Sequence, residues 1–467
     1  MSARSELSAP PAQAPAVAAS ATPSGAALRR PIPIPPCTAF SPRPAPLLLA
    51  VMLCLAPSGI VSGETLRVGA GERFARLADA LAASRDGDSV EVGPGNHPDT
   101  GLVVENRVHI RGRGWPVFDA KGGCTLLDLR ADGSSVRGLV LRGVGASNLK
   151  ECGGVWINGA ADVTVAGNRF ERDFFGVYGA AARRARIEEN TFTGLGGRES
   201  ANGNGIHFWK SDSAVIRGNS VRGHRDGIYL EFTGNSRVED DTCEGNVRYG
   251  LHFMYSHGNR YVGNLFRRNG SGVAVMYSHD VDMRGNRFEE NWGGASYGLL
   301  LKSIQGSRIE GNRFERNTVA VFQEASNRVA LEGNLFRANG WALRIVADCD
   351  ANTFAGNRFE SNTFDVAYNA SASNSNLFEG NTWDHYQGWD LDRDGIGDVP
   401  HRPVELFPTL MQDHPQAMVL LRSHFVTLLN ALERMFPTLS PPSLVDASPV
   451  MPAPARKPAP RAGKGRS

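Results

Sequence analysis

The chain has 467 residues and a formal net charge of +2, from 50 Lys and Arg against 48 Asp and Glu. So small a net charge gives no strong positive field, which argues against a nucleic-acid-binding protein. A chain of this length can hold two or three ordinary domains. An internal repeat would remove that inference, because a repeat array of this length forms a single domain.

The first 63 residues differ from the rest of the chain. Residues 1–45 are rich in Ala, Pro and Ser without an apolar period, which predicts a disordered extension. The apolar run Leu47–Ala56 follows Arg43 and precedes small residues up to Gly63, a pattern typical of a secretory signal with cleavage before Glu64. A membrane-spanning helix is the alternative, but this run is well short of the ~20 apolar residues that a span needs. We therefore predict an exported protein.

A short motif recurs through the middle of the chain. Gly-Asn followed by a variable residue and Phe is its commonest form, as in Gly263-Asn264-Leu265-Phe266. Most copies are 22–24 residues apart, with two longer steps of 29 and 26 residues that we interpret as loop insertions. The Asn position of the copies is occupied by Asn168, Asn190, Asn219, Asp241, Asn264, Asn286, Asn312, Asn334, Asn357 and Asn381.

This period indicates one coil of a stacked β-solenoid. Gly and Asn tolerate positive φ at a sharp corner, stacked Asn side chains can hydrogen-bond along the axis, and Phe enters the interior. We predict an all-β, right-handed parallel β-helix of about twelve coils over residues 64–389. The helical spacing of Phe74–Leu81 predicts an N-terminal capping helix. A β-propeller or a leucine-rich horseshoe needs a longer unit or a Leu/Asn consensus, and neither is present.

Four cysteines follow the signal segment. Cys124 and Cys152 are 28 residues apart, close to one long coil, so they can stack and form a disulfide in an oxidising compartment. Buried free thiols are the alternative. Cys243 falls at an inward position of the repeat and is predicted to lie in the core.

The second strand of each coil predicts two outward columns of side chains. Gly205-Ile206-His207-Phe208-Trp209 aligns with equivalent segments in the next four coils. Because strand side chains alternate between faces, the third and fifth positions are expected to point outward. One column then contains His207, Tyr229, His252 and Ala274, and its neighbour contains Trp209, Glu231, Met254, Met276 and Lys302. His257 and His279, which end the doubled sequence Met-Tyr-Ser-His, form a third column.

These columns suggest a metal site. Thioether and imidazole groups are the soft and borderline ligands that suit Cu(I), and equivalent residues of adjacent coils lie about 4.8 Å apart. We hypothesise that this wall binds Cu(I), with candidate ligands His207, His252, Met254, Met276, His257, His279 and Glu231. A protein interface is the alternative, because Met is common at adaptable binding surfaces.

An acidic loop follows the repeats. The loop and its connector span residues 390–413. Around Gly395, carboxylates occur at alternate positions, namely Asp390, Asp392, Asp394 and Asp398. This is the ligand spacing of an EF-hand-like Ca²⁺ loop, without the closing Glu. An acidic turn without an ion is the alternative. Residues 414–436 have the apolar spacing of a helix that caps the stack or docks on a partner. Residues 437–467 are basic and rich in Pro and Ala, which predicts a disordered tail.

Residues 64–436 resemble the NosD family. The resemblance is carried by the segment from Gly205 to Asn286, with its doubled Met-Tyr-Ser-His, and by the Asp-rich loop followed by Val399-Pro400-His401-Arg402-Pro403. It implies a non-enzymatic periplasmic protein, associated with the membrane through an ABC-type permease and ATPase. In that family the complex serves assembly of the copper centres of nitrous oxide reductase. The resemblance also implies a membrane copper chaperone and the apo-reductase as partners, and leaves open whether copper or sulfur is the cargo.

Other functions compete with this expectation. Right-handed β-helices often act on acidic polysaccharides as lyases, hydrolases or epimerases, and such a site needs paired carboxylates on one wall. The aligned wall offers Glu231 alone, while Asp212 and Asp226 fall in turns. A scaffold without a metal is the third interpretation. The sequence contains no Gly-x-x-x-x-Gly-Lys-[Ser/Thr] loop, so any ATP chemistry belongs to a partner.

Overall fold

The structure is a computed structural model that describes residues 63–147, 151–346, 348–369, 375–421, 423–436 and 444–452. The extension and signal segment expected over residues 1–62 lie outside the described residues, as do residues 437–443 and 453–467 of the tail.

The described chain winds into a right-handed parallel β-helix with three sheets of 12, 14 and 13 strands. Most coils contain one long strand followed by two short strands. The strands of the long-strand sheet are Leu102–Val104, Leu127–Leu129, Gly153–Asn158, Phe175–Ala180, Ile206–Trp209, Asp226–Glu231, Tyr249–Met254, Ser271–Met276, Tyr297–Lys302, Val319–Glu324, Trp341–Val346 and Phe364–Asn369.

The two short sheets form the other faces of each coil. The strands of the first short sheet are Thr65–Val68, Ser89–Val92, His109–Gly112, Ser135–Arg137, Thr164–Ala166, Arg186–Glu188, Val215–Arg217, Arg237–Glu239, Arg260–Val262, Asp282–Arg284, Arg308–Glu310, Ala330–Glu332, Thr353–Ala355 and Leu377–Glu379. The strands of the second short sheet are Asn96–His97, Val117–Asp119, Val140–Arg142, Arg169–Glu171, Thr191–Thr193, Ser220–Arg222, Thr242–Glu244, Leu265–Arg267, Arg287–Glu289, Arg313–Glu315, Leu335–Arg337, Arg358–Glu360 and Thr382–Trp383. The predicted fold and number of coils are confirmed.

The repeated Asn holds neighbouring coils in register. Both the backbone N–H and the Nδ2 of Asn264 donate to the Oδ1 of Asn286, at 3.0 and 2.9 Å, and Nδ2 also donates to the carbonyl of Val238. The residue before the Asn takes the positive φ, as Gly263 does at 69°, and the Asn itself does not. Asn is therefore present for its hydrogen bonds, and the expectation that it relieves a strained corner is wrong.

A second amide ladder stands at the corner that follows the second short sheet, and the repeat motif does not include it. Its rungs hydrogen-bond as those of the first ladder do, and they are Asn246, Asn269, Asn291, Asn317, Asn339 and Asn362. Between the two ladders the Phe of each motif is buried and stacks on its equivalent, as Phe314 does on Phe336 at 5.1 Å. The interior is thus built from columns of identical contacts.

Helical segments cover parts of the stack. The helix Leu77–Ala83 begins within the predicted capping segment, ends two residues beyond it, and buries Leu77, Ala80 and Leu81. At the other end, the single helix expected over residues 414–436 is instead divided into 3-10 helix Pro415–Leu420 and α-helix His424–Met435. A further α-helix, Leu406–Asp413, precedes them and was not predicted. These segments pack on the long-strand sheet through an apolar cluster of Phe364, Phe407, Met411 and Val426.

Part of the C-terminal tail is ordered, which corrects the expectation of a disordered segment. Asp446 is fully buried and supplies the last rung of the first ladder, because its Oδ2 accepts hydrogen bonds from Asn381 Nδ2 at 3.0 Å and Trp383 Nε1 at 3.1 Å. Val450 bridges to Thr382. The returning chain thus satisfies polar groups that the end of the stack would otherwise leave unpaired.

The cysteines follow the coil geometry. Cys124 and Cys152 form a disulfide between coils, with Cα atoms 4.6 Å apart. Cys243 and Cys349 are free thiols and are buried.

Asp241 replaces Asn in the first ladder and is predicted to lower the stability at high pH. Its Oδ1 accepts two hydrogen bonds from Asn219, its Oδ2 has no partner among the described residues, and burial raises its pKa to about 7. An unfolded aspartate has a pKa near 3.9. The folded state therefore binds more protons, so the stability that protonation provides is complete below about pH 4 and is lost as the pH rises through about 7.

We expect Asp241→Asn to raise the free energy of unfolding at pH 8 by about 1–3 kcal/mol, because an amide keeps both donor and acceptor. The gain should shrink toward pH 5, where the protonated carboxyl already donates. Urea unfolding at the two pH values measures both quantities. The variant Glu379→Gln, which neutralises an exposed carboxylate of the last coil, should leave the pH dependence unchanged. An equal gain at both pH values for Asp241→Asn would contradict this account.

Candidate metal centre on the long-strand sheet

The long-strand sheet stacks the candidate residues in the predicted columns. Ile206 and Phe208 are fully buried in the interior, so the alternate positions point outward. Residue pairing along the sheet runs through His207, Tyr229, His252 and Ala274 in one column and through Trp209, Glu231, Met254, Met276 and Lys302 in the next.

The histidines of the first column are buried, so this column does not form the accessible metal-binding wall that the sequence suggested. The side of the sheet is as predicted, but His207 and His252 are only 8% and 5% exposed. Aromatic rings surround them, and Tyr229 lies between the two imidazoles with ring centroids 4.7 Å from each. Two imidazoles separated by a ring cannot share one ion at metal–nitrogen distances of about 2 Å.

A buried ion pair explains how this column is held. Asp226 is fully buried and receives two hydrogen bonds from Arg248, with Nε 2.8 Å from Oδ1, while Nδ1 of His252 lies 3.6 Å from Oδ2. Burial alone would raise the pKa of Asp226, but the bonds from Arg248 and His252 outweigh it and lower the pKa. Arg248 also lies 3.5 Å from Glu199 in the long inserted loop. The prediction that Asp226 falls in a turn is wrong, because this residue begins the strand Asp226–Glu231. The repeat also does not reveal which groups the insertion brings over it.

The buried imidazole of His207 is neutral. Burial lowers the pKa of His207 to about 3, and the Nε2 atoms of His207 and His252 have no hydrogen-bond partner among the described residues. These two histidines therefore point outward but are covered by other groups. The structure does not bring them together with the accessible candidate copper ligands.

The second column is accessible at its two methionines. Met254 and Met276 are paired residues on adjacent strands, and both are half-buried. The Tyr229 hydroxyl lies 3.8 Å from the Met254 sulfur. Glu231 precedes Met254 in the column, and Lys302 follows Met276 and is paired with Glu324 at 3.1 Å. Two thioethers thus stand side by side between residues of opposite charge.

The corner after the methionines carries two further columns. Tyr255 and Tyr277 take positive φ values of 48° and 52°, are exposed, and stack with ring centroids 5.1 Å apart. Phe232 extends this aromatic column by one coil at 5.0 Å from Tyr255. The sequence alignment stopped at the strand end and missed this exposed column, although the doubled Met-Tyr-Ser-His contains it.

The third column is a stacked histidine pair. The rings of His257 and His279 lie 3.8 Å apart. The backbone N–H of His279 donates to Nδ1 of His257 at 3.3 Å, which leaves Nε2 of His257 outside this contact. Burial, and secondarily the charge of His279, lowers the pKa of His257 and favours the neutral ring that binds metals.

The doubled motif therefore arranges two Met, two Tyr and two His side chains around one corner of two adjacent coils. Ser256 and Ser278 turn inward between them, and the backbone N–H of Ser256 donates to the Ser278 hydroxyl at 3.0 Å. We call Met254, Met276, His257 and His279 the Met–His corner. Of the seven candidate copper ligands, these four occur as two adjacent pairs, Met beside Met and His stacked on His.

The acidic loop gathers three of its four predicted ligands. Oxygens of Asp390, Asp392 and Asp394 lie within 4.8 Å of one another. Asp390 also accepts the backbone N–H groups of Arg393 at 2.6 Å and Gly395 at 3.0 Å, which shapes the loop. Asp398 instead accepts the N–H of Leu391 at 2.7 Å. The arrangement offers hard oxygen ligands of the kind that Ca²⁺ prefers.

The last α-helix exposes an apolar stripe. Phe425, Leu428, Leu432 and Met435 are spaced by three or four residues and are exposed, while Val426 packs inward. In the part of the chain that the structure describes, none of the helices has the length and apolar character needed to cross a membrane.

Comparison with known proteins identifies the family. Residues 193–388, which include the Met–His corner, match the family model described as periplasmic copper-binding protein (NosD). A probable ABC transporter binding protein NosD of Pseudomonas aeruginosa is 31% identical over 411 residues, covering 85% of this chain and 96% of the relative. The chain belongs to the NosD family. The NosD relative of Stutzerimonas stutzeri is 28% identical and covers 86% of this chain and 95% of its own length.

Solved structures share the fold with this NosD-family chain. The catalytic unit of a GH87 α-1,3-glucanase from Streptomyces thermodiastaticus has a TM-score of 0.52 at 15% identity, covering 67% of this chain and 65% of its own. The A-module of the mannuronan C-5 epimerase AlgE4 of Azotobacter vinelandii has a TM-score of 0.50 at 14% identity, with coverages of 63% and 93%. At these identities the likeness concerns the β-helix alone.

Proposed function

We propose that this protein is a periplasmic, non-enzymatic accessory protein of an ABC transporter complex, and that it binds Cu(I) at the Met–His corner during assembly of the copper centres of nitrous oxide reductase. The observation that carries the proposal is that two thioethers stand side by side on adjacent coils and two imidazoles stack on the same two coils, three residues further along the chain. The family description as copper-binding and the relatives' description as ABC transporter binding proteins support it.

The chemistry of the corner suits transient binding. Thioether sulfur is a soft ligand that prefers Cu(I) to harder ions. The methionines and His257 are half-buried and His279 is exposed, so a donor protein can approach the ion and a recipient can remove it. His252 and Asp226 lie behind this surface, where their buried network keeps the strand that carries Met254 in place.

The competing carbohydrate enzymes need a pair of carboxylates with different protonation states. On this wall Asp226 is buried against Arg248, and Glu231 stands next to Met254 in the column. This arrangement does not favour sugar chemistry, so we retain the copper function. A scaffold without copper and a protein with a sulfur cargo are outcomes of the following test.

Removing the thioethers should weaken copper binding. We expect Met254→Ala/Met276→Ala to lower the Cu(I) affinity at least about tenfold, equivalent to about 1.4 kcal/mol, because imidazoles alone are harder ligands. Competition with a chromophoric Cu(I) chelator under reducing conditions measures the affinity. Met435→Ala removes a more exposed thioether from the last helix and should have no effect. An unchanged affinity in the double variant would exclude the corner as the copper site.

The apolar stripe of the last helix is proposed to contact the membrane permease of the transporter. We expect Leu428→Asp/Leu432→Asp to abolish co-purification with permease and ATPase from membranes, because each charge would be desolvated at an apolar interface. Cu(I) affinity should remain unchanged. Thr427→Asp places the same charge on an exposed polar position of that helix and should be tolerated. Retained co-purification of the double variant would place the contact elsewhere.

The acidic loop is proposed to bind a structural Ca²⁺. Calcium should raise the Tm of the wild-type protein by about 1 °C for each kcal/mol of binding free energy at the concentration used. Asp392→Asn should lose this rise, because it removes one of the three converging carboxylates. Glu379→Gln neutralises an exposed carboxylate of the last coil and serves as the control. An equal rise in both variants would show binding outside the loop.

A further inference from the structure

A cavity of about 720 Å³ lies at the C-terminal end of the solenoid. Its wall is formed by the last long strand, by the segment after the last short strand and by the helices. The ionisable residues that line it are Asp365, His385, His401, Arg402, Glu405 and Glu433. Neither the Met–His corner nor the acidic loop contributes to this cavity.

Asp365 occupies an unusual position in the stack. The pairing of the long strands places it in one column with Gly298, Ala320 and Ala342 of the three preceding coils. A Cβ atom at Gly298 would lie 2.7 Å from the carbonyl oxygen of Ala320 in the next coil, so the column excludes large side chains within the stack. At the last complete coil this restriction ends, and a carboxylate takes the place of a small residue.

Two further ligand groups meet Asp365. One ring nitrogen of His385 and one carboxylate oxygen from each of Asp365 and Asp384 lie within 4.8 Å of one another. Metal bonds of about 2.0–2.2 Å require ligand atoms at most about 4.4 Å apart. Small side-chain rotations are sufficient to close this difference, because Asp384 and His385 are exposed.

Neighbouring groups already orient these ligands. Nδ2 of Asn362, the end of the second amide ladder, donates to Oδ1 of Asp365 at 3.1 Å. The backbone N–H of Ser361 donates to Oδ2 of Asp384 at 2.5 Å. Nδ1 of His385 lies 2.7 Å from Oδ1 of Asp384, a contact that leaves Nε2 of the imidazole available. Hydrogen bonds of this kind fix ligand geometry in metal proteins.

The carboxylates around Asp365 favour the binding of a cation. Glu405 lines the same cavity as Asp365, and Asp384 lies beside Asp365. A divalent ion would offset the repulsion between these carboxylates, and the geometry of the three ligand groups allows all of them to reach it.

We propose that Asp365, Asp384 and His385 form a binding site for a borderline divalent cation of the Zn²⁺ or Cu²⁺ type. One imidazole and two carboxylates match the ligand preference of these ions and lack the thioethers that favour Cu(I). The site is separate from the Met–His corner and does not depend on the function proposed above. By joining the last long strand to the segment that precedes the helices, the ion would fasten the C-terminal cap to the solenoid.

Metal titration of the full chain tests this site. After removal of bound metal with a chelator, Zn²⁺ is titrated calorimetrically into wild-type protein and into His385→Ala and Asp365→Asn. We expect each variant to bind Zn²⁺ at least about tenfold more weakly, because one of three ligands is lost. Circular dichroism establishes that the β-helix is intact, and Zn²⁺ should raise the Tm of the wild-type protein only.

Three controls separate this site from the other metal ligands of the chain. His414→Ala removes an exposed histidine from the C-terminal cap, Asp392→Asn alters the acidic loop, and His257→Ala/His279→Ala alters the corner. All three should retain the Zn²⁺ affinity of the wild type. Wild-type affinity in both His385→Ala and Asp365→Asn would overturn the proposal, as would loss of binding in the acidic-loop variant or the corner variant alone. With Cu²⁺, electron paramagnetic resonance should show one nitrogen ligand that His385→Ala removes.

Discussion

The structure depends on the register between coils. A single coil cannot bury its own apolar face, so each coil is stable only when its neighbours cover it. The amide of each ladder Asn donates to the Asn of the next coil, which fixes one residue directly over its equivalent. Stacked Phe rings in the interior require the same alignment. Every outward side chain therefore belongs to a column whose spacing is set by the strands.

This register aligns the two copies of Met-Tyr-Ser-His, so that equivalent side chains form pairs on adjacent coils. A loop could carry Met, Tyr and His in many geometries, whereas two adjacent coils must place each pair side by side. The rigid support limits the loss of side-chain freedom on binding, and the partial exposure of Met254 and Met276 keeps the ligands within reach of a partner. The same register holds His207 and His252, but there an inserted loop and a row of rings have closed the surface. Stacking thus brings equivalent side chains close together, and the groups that cover them determine whether a partner can reach them.

The ends of a solenoid pose a different problem, because they leave amides and apolar rings without the next coil. Asp446 from the returning tail continues the first ladder, and the helices cover the outer apolar cluster around Phe364. The second ladder ends at Asn362, whose amide hydrogen-bonds Asp365. The non-repeating segments and the exposed functional groups therefore lie mainly at this end. The acidic loop, the cavity and the apolar stripe all lie within residues 362–436.

The sequence by itself determined the parallel β-helix, its coil length and the side of the sheet on which Met254, Met276 and His252 stand. These properties follow from local periodicity, which is repeated in each coil. The structure alone decided that His252 is buried while Met254 is accessible, that Asp226 pairs with Arg248, and that Asp446 enters the end of the stack. Each of these features depends on residues outside the repeat or on an inserted segment that covers the repeated strands. Periodicity specifies how equivalent residues stack, and it carries no information on which irregular segment will cover them.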